Sequence, residues 1–166
     1  MAGSNDASGS GKVPGIKRIL IVNGPNLNML GTREPEIYGH QTLNDIAAAC
    51  EAKAAAVGLA VDFRQSNDEA EIIGWIQEAG AGDRVDGIVI NPASFTHTSL
   101  AIADALRMQD RPVIELHLSN IFAREAFRHH SWVSPAATGM ICGFGGSGYV
   151  LAVEAMANLL NGEKAE

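Results

Sequence analysis

Residues 85–116 read VDGIVINPASFTHTSLAIADALRMQDRPVIEL. Val85–Asn91 is a short apolar run stopped by Asn-Pro, and Pro112–Leu116 is a second such run. A helix from about Thr98 to Met108 joins them. A strand, a helix and another strand make a unit whose strands run parallel, because the helix returns the chain to the same end of the sheet.

The same alternation extends in both directions. Upstream, Lys17–Asn23 (KRILIVN) is an apolar strand that ends in Asn-Gly-Pro. Thr42 can cap a helix running to about Val57, with Gly58 as its stop and alanines favouring helix throughout. Leu59–Phe63 is a short strand. Ser66 and Glu69 have the spacing of a capping box, and the helix behind them carries Ile72, Ile73 and Ile76 and ends near Gly80. Downstream, Ser119 or Asn120 starts a short helix through Phe127. Gly139–Gly143 is a last strand, and Tyr149–Leu160 is a helix closed by Asn161-Gly162. Five strands alternating with five helical segments predict an α/β fold. The five-strand solution is a flavodoxin-like three-layer sandwich, a parallel sheet of order 2-1-3-4-5 with helices on both faces. The expected organisation is a flexible N-terminal tail (1–15), one domain (16–161) and a C-terminal tail (162–166).

Composition agrees with a globular chain: 166 residues, 46% hydrophobic and 19% charged. The net charge of −7 argues against a nucleic-acid partner, which favours a basic face. No run reaches the roughly 18 apolar residues of a membrane span. The first fifteen residues are polar and Gly/Ser-rich, without the apolar core of a secretory signal. Cys50 and Cys142 form no CxxC or zinc spacing, so a reducing, cytoplasmic setting is expected.

Two glycine motifs fail. Gly143-Phe144-Gly145-Gly146-Ser147-Gly148 fits the dinucleotide fingerprint, but no strand is left after it to complete the unit. It reads instead as close helix–sheet packing. Gly9-Ser10-Gly11-Lys12 resembles part of a P-loop, yet Asp6 and Val13 break the pattern. The five histidines form no metal-ligand motif, so neither metal nor cofactor is expected. In a sheet of this kind ligands bind beyond the carboxyl ends of the strands. Those ends are Asn23-Gly24-Pro25-Asn26, Arg64-Gln65-Ser66, Asn91-Pro92-Ala93-Ser94 and His117-Leu118-Ser119-Asn120. Gly31–Gly39 is a polar, glycine-bounded loop carrying Arg33 and Tyr38, suited to a lid.

The run NGPNLNMLGTREPEIYG (23–39) closely resembles the N-terminal signature of type II 3-dehydroquinate dehydratases. The resemblance continues in order through RQSN (64–67), NPASFTHTS (91–99), ELHLSN (115–120) and REAFR (124–128), and covers essentially residues 16–161. It implies dehydration of 3-dehydroquinate to 3-dehydroshikimate through an enolate, without metal or Schiff base. It makes Tyr38 the base, and a phenol of pKa near 10 needs a cation such as Arg33 to act at neutral pH. It makes His117 the proton donor to the departing hydroxyl and Asn26 the enolate or water site. Asn91 and His97 match positions that bind ring hydroxyls. Leu118 and Ser119 match a carboxylate site, expected at a helix N-terminus. Arg128 matches another substrate contact, and Asp104 one that serves a neighbouring subunit. The family thereby implies a homo-oligomer, trimers assembled into a dodecamer.

The competing reading is a flavodoxin-like binding or signalling module without catalysis. A signalling receiver needs acids after the first strand and a late lysine; here that strand ends in Asn-Gly-Pro-Asn, and only Lys53 and Lys164 follow it.

Overall fold

The computed structural model describes residues 15–32, 36, 40–82 and 85–162. Its strands are β1 (Lys17–Asn23), β2 (Leu59–Gln65), β3 (Gly87–Asn91), β4 (Val113–His117) and β5 (Gly139–Cys142). The α-helices among the described residues are α1 (Leu43–Ala56), α2 (Glu69–Gly80), α3 (Leu100–Arg107) and α4 (Ser147–Leu160). All strand pairs are parallel and the order is β2-β1-β3-β4-β5, as the alternation predicts.

Alternate residues of each strand point to opposite faces. Ile19 and Ile21 of β1 meet Ile46, Cys50 and Ala54 of α1 and Tyr149, Val153 and Met156 of α4. Leu20 and Val22 meet Ile72 and Ile76 of α2 and Ile102 and Leu106 of α3. Covered on both faces, the central strands can be continuously apolar.

The helix starts show where local chemistry prevails. Thr42 and Asp45 form a reciprocal capping box at α1. The box expected from Ser66 and Glu69 does not form. Asp68 is the cap, its carboxylate accepting from the N–H groups of Ala70 and Glu71. The Ser66 hydroxyl instead accepts from Asp68 N–H and donates to Glu71. α3 begins at Leu100 rather than near Thr98, because Ser99 accepts from Ile102 N–H. The helix expected over 119–127 is two 3-10 turns, Ile121–Ala123 and Ala126–Arg128. Gly148 permits the close helix–sheet packing read from the glycine motif, since a Cβ there would stand 3.2 Å from a Leu116 methyl.

The carboxyl ends of β1 and β3 approach closely. Gly24 N–H donates to Asn91 O at 2.8 Å, and a Cβ on Gly24 would stand 2.3 Å from Pro92 O. That neighbour is backbone and cannot give way. Gly24→Ala therefore destabilises by about 2–3 kcal/mol or more. Gly74→Ala, in α2 with nothing within 4 Å of the new Cβ, stabilises by about 0.5–1 kcal/mol. Urea unfolding of the two variants checks both; equal effects would contradict the packing at Gly24.

Candidate active site

A cavity of about 410 Å³ opens beyond the carboxyl ends of β1, β3 and β4. This is the crevice where strand order reverses, with β1 continuing to β2 on one side and β3 on the other. Of the site residues expected from the sequence, Asn26, Asn91, His97, His117, Leu118, Ser119 and Arg128 all line it. Asp104 does not. It lies exposed on α3, bonded to Arg107 at 2.7 Å. Arg33 and Tyr38 lie outside the described residues, as does most of the loop expected to act as a lid.

Two wall residues hold backbone conformations that side chains rarely adopt: Asn26 at φ 67° and Ala93 at φ 51°. Asparagine tolerates this region; alanine enters it at a cost of roughly 1–2 kcal/mol. Both turns are fastened by side-chain amides. Asn26 N–H donates to Asn67 Oδ1 at 2.9 Å, and Ala93 N–H to Asn91 Oδ1 at 3.2 Å.

His117 ends β4 nearly buried, with Nε2 2.7 Å from Glu115 Oε1. Glu115 is fully buried and also accepts from the hydroxyls of Ser131, at 2.8 Å, and Ser134. Burial works to raise this carboxyl, but the hydrogen bonds from His117, Ser134 and Ser131 prevail and hold it below its ordinary value of 4.5. An ionised carboxylate only accepts, so His117 Nε2 carries the hydrogen. Nδ1 is then the nitrogen left to exchange a proton with a ligand. A ring that carries hydrogen on both nitrogens donates from Nδ1, and a neutral ring with its hydrogen on Nε2 accepts there.

His97 is oriented in a complementary way. Its Nδ1 lies 2.8 Å from His130 O, a pure acceptor, so Nδ1 is the donor and Nε2 carries the lone pair when the ring is neutral. Arg128 Nε donates to Glu125 at 3.1 Å, and Arg124 pairs with the same carboxylate at 3.5 Å. A hydrogen bond from its own backbone, and then the two guanidinium groups, hold the Glu125 carboxyl below its ordinary range. The carboxylate site at Leu118 and Ser119 lacks the expected α-helix behind it. The turn that follows has three residues and is capped by Asn120, which accepts from Phe122 N–H.

Sequence reasoning assigned no role to Glu115, Arg124, Glu125 or Tyr149. Glu115 had a usable signal, because residues i and i+2 of a strand share a face and Glu115 must stand beside His117. The serines behind it lie 16 and 19 residues away, with no local pattern to reveal them.

A switch-point cavity holding a carboxylate-backed histidine and two arginines defines an α/β enzyme equipped for proton transfer on a small anion. Residues 17–157 match the family described as dehydroquinase class II. The chain is 58% identical over 141 residues to 3-dehydroquinate dehydratase 2 of Pseudomonas aeruginosa, covering 85% of this chain and 94% of that one. It is 56% identical over 141 residues to 3-dehydroquinate dehydratase 1 of Agrobacterium fabrum, covering 85% and 96%. The crystal structure of the type II dehydroquinase from Propionibacterium acnes superposes with a TM-score of 0.82 at 50% identity, covering 86% of this chain and 97% of that one. The chain belongs to the class II dehydroquinase family. None of these relatives is a flavin carrier or signalling receiver.

Glu115→Gln keeps an acceptor but removes the charge, and lowers stability near neutral pH by about 1.5–3 kcal/mol. The folded-state pKa of Glu115 lies below its ordinary value, so its contribution is complete above that value and is lost as pH falls below it. The stability gap between wild type and variant therefore narrows in acid. Denaturant titrations between about pH 3 and pH 7 measure it; a gap constant over that range would mean that Glu115 is not ionised.

Proposed function

We propose that this chain dehydrates 3-dehydroquinate to 3-dehydroshikimate by anti elimination through an enolate. Membership of the family supports the reaction, and the observation that carries it is His117 seated at the cavity with its ring held by Glu115. Tyr38, assisted by Arg33, takes the proton beside the ketone. The electron pair moves onto the ketone oxygen, and Asn26 with a bound water stabilises the enolate. Collapse of the enolate expels the hydroxyl, which takes the Nδ1 proton of His117 and leaves as water. No net charge is created, so the ring and the phenol exchange protons with solvent to reset the site.

Binding follows the same cavity. Leu118 and Ser119 offer backbone N–H groups and a hydroxyl to the substrate carboxylate. Asn91 and His97 take ring hydroxyls, and Arg128 makes a further substrate contact. Asp104 belongs to a neighbouring subunit's site, which accords with its exposure outside this cavity. Exposed Met108, Phe122, Phe127 and Phe144 support a homo-oligomer, and the family resemblance implies trimers built into a dodecamer. No described helix is long and apolar enough to cross a membrane. The proposed setting is the cytoplasm, with residues 16–161 as one catalytic domain serving the shikimate pathway or quinate breakdown.

Adding 3-dehydroquinate should produce ultraviolet absorbance from the conjugated enone of the product. His117→Ala and Tyr38→Phe should each slow turnover by about a hundred- to ten-thousand-fold while still binding substrate analogues. No absorbance change with wild-type protein would sink the reading; near-native turnover in either variant would remove that residue from its role.

A further inference from the structure

Tyr149 is a fully buried tyrosine on α4, outside the cavity lining, and the proposed chemistry does not use it. Its hydroxyl lies 2.9 Å from Asn91 Nδ2 and 2.7 Å from Asn23 Oδ1. The chain of bonds continues at both ends. Asn23 Nδ2 donates to Arg64 O at 2.9 Å, and Asn91 Oδ1 accepts from Ala93 N–H at 3.2 Å. A backbone N–H can only donate and a backbone carbonyl can only accept, so the two ends fix the direction of every bond between them. Ala93 donates to Asn91, Asn91 to Tyr149, Tyr149 to Asn23, and Asn23 to Arg64. Only a group that both accepts and donates fits the middle position. Burial pushes the Tyr149 phenol up, which keeps its proton in place for Asn23.

We infer that Tyr149 is a positioning residue for substrate binding: its hydroxyl locks the Asn91 amide so that this cavity-lining side chain offers a ligand its remaining N–H, and holds the left-handed turn at Ala93. Without the hydroxyl the amide keeps only the 3.2 Å bond from Ala93 N–H, and its free N–H is no longer held toward the ligand. The relay also makes Asn91 a donor toward the substrate, so the oxygen it meets is an acceptor. This inference rests on the dehydratase reading only in taking Asn91 as a substrate contact.

The test is a double-mutant cycle with Tyr149→Phe and Asn91→Ala, measured with 3-dehydroquinate. Tyr149→Phe should raise KM about ten-fold and change kcat much less, since a binding donor is misdirected while His117 is untouched. In the Asn91→Ala background the same substitution should change kcat/KM by less than about two-fold, because a residue acting through Asn91 has nothing left to act on. General loosening of the fold would instead multiply the two effects, and that result, or an unchanged KM in Tyr149→Phe, overturns the inference. Should Tyr149→Phe not fold, Asn23→Ala breaks the relay one bond further away and must show the same non-additivity with Asn91→Ala. If wild-type protein does not turn over 3-dehydroquinate, the dehydratase reading fails separately. A crystal structure of Tyr149→Phe then decides the relay: a displaced Asn91 amide or a relaxed Ala93 turn supports it, and an unchanged pair overturns it.

Discussion

The carboxyl edge of the sheet depends on the pairing of β1 with β3. In register, Asn23 stands opposite Asn91 where both strands end. From that point the chain leaves in two loops, through Gly24–Asn26 and through Pro92–His97, and together they form one side of the cavity. The loops pack so tightly that Gly24 leaves no room for a Cβ beside Pro92. Beneath them the Tyr149 hydroxyl ties the two asparagines together from α4. A strand-end pair, a backbone contact and one buried hydroxyl thus set the distance between Asn26 and His97.

Electrostatics add the second organising influence. The chain carries a net charge of −7, yet residues 16–40 and 107–130 each carry a net charge of +1. The second of them supplies Arg124, Arg128 and His117 to the cavity. Acidic residues gather in α1 and α2 and their connecting strand, and screening over about 8–10 Å hides much of that charge from a small anion in the cavity. Two carboxylates remain close, with different tasks. Glu125 sits at the surface between two arginines and moderates them. Glu115 is buried behind His117 and reaches a ligand only through that ring.

Much of this was legible in the sequence because it is local. Strand order followed from alternation, and the placement of Asn26, Asn91 and His117 from the rule that such sheets bind ligands at strand ends; His97 came from the family resemblance. Family resemblance, not pattern, separated Tyr38 and Arg33 from an ordinary loop. The misreadings are instructive. Ser66 and Glu69 have capping-box spacing, but Asp68 lies nearer the first free N–H groups and takes the cap. Residues 119–127 look helical, but Asn120 and then Glu125 each begin a fresh turn, and no run of helical hydrogen bonds follows. What stayed hidden is non-local: Ser131 and Ser134 on Glu115, and Tyr149 on Asn23, 126 positions away.

The asparagines explain why those non-local contacts matter for function. Asn26 and Ala93 flank the cavity with left-handed backbone, and each has its N–H held by another asparagine, Asn67 and Asn91 respectively. A short amide side chain can accept from a strained turn while donating elsewhere, which a carboxylate cannot do. Asn67 Oδ1 also accepts from Gln65 Nε2 at 3.1 Å, and Gln65 Nε2 reaches back to Gly24 O at 3.3 Å. Asn91 donates into the Tyr149 relay. Each strained turn is therefore bonded to the end of its own or an adjoining strand, so the cavity wall shares the rigidity of the sheet. A site built this way is organised before a substrate arrives, and the binding energy need not be spent on ordering the loops.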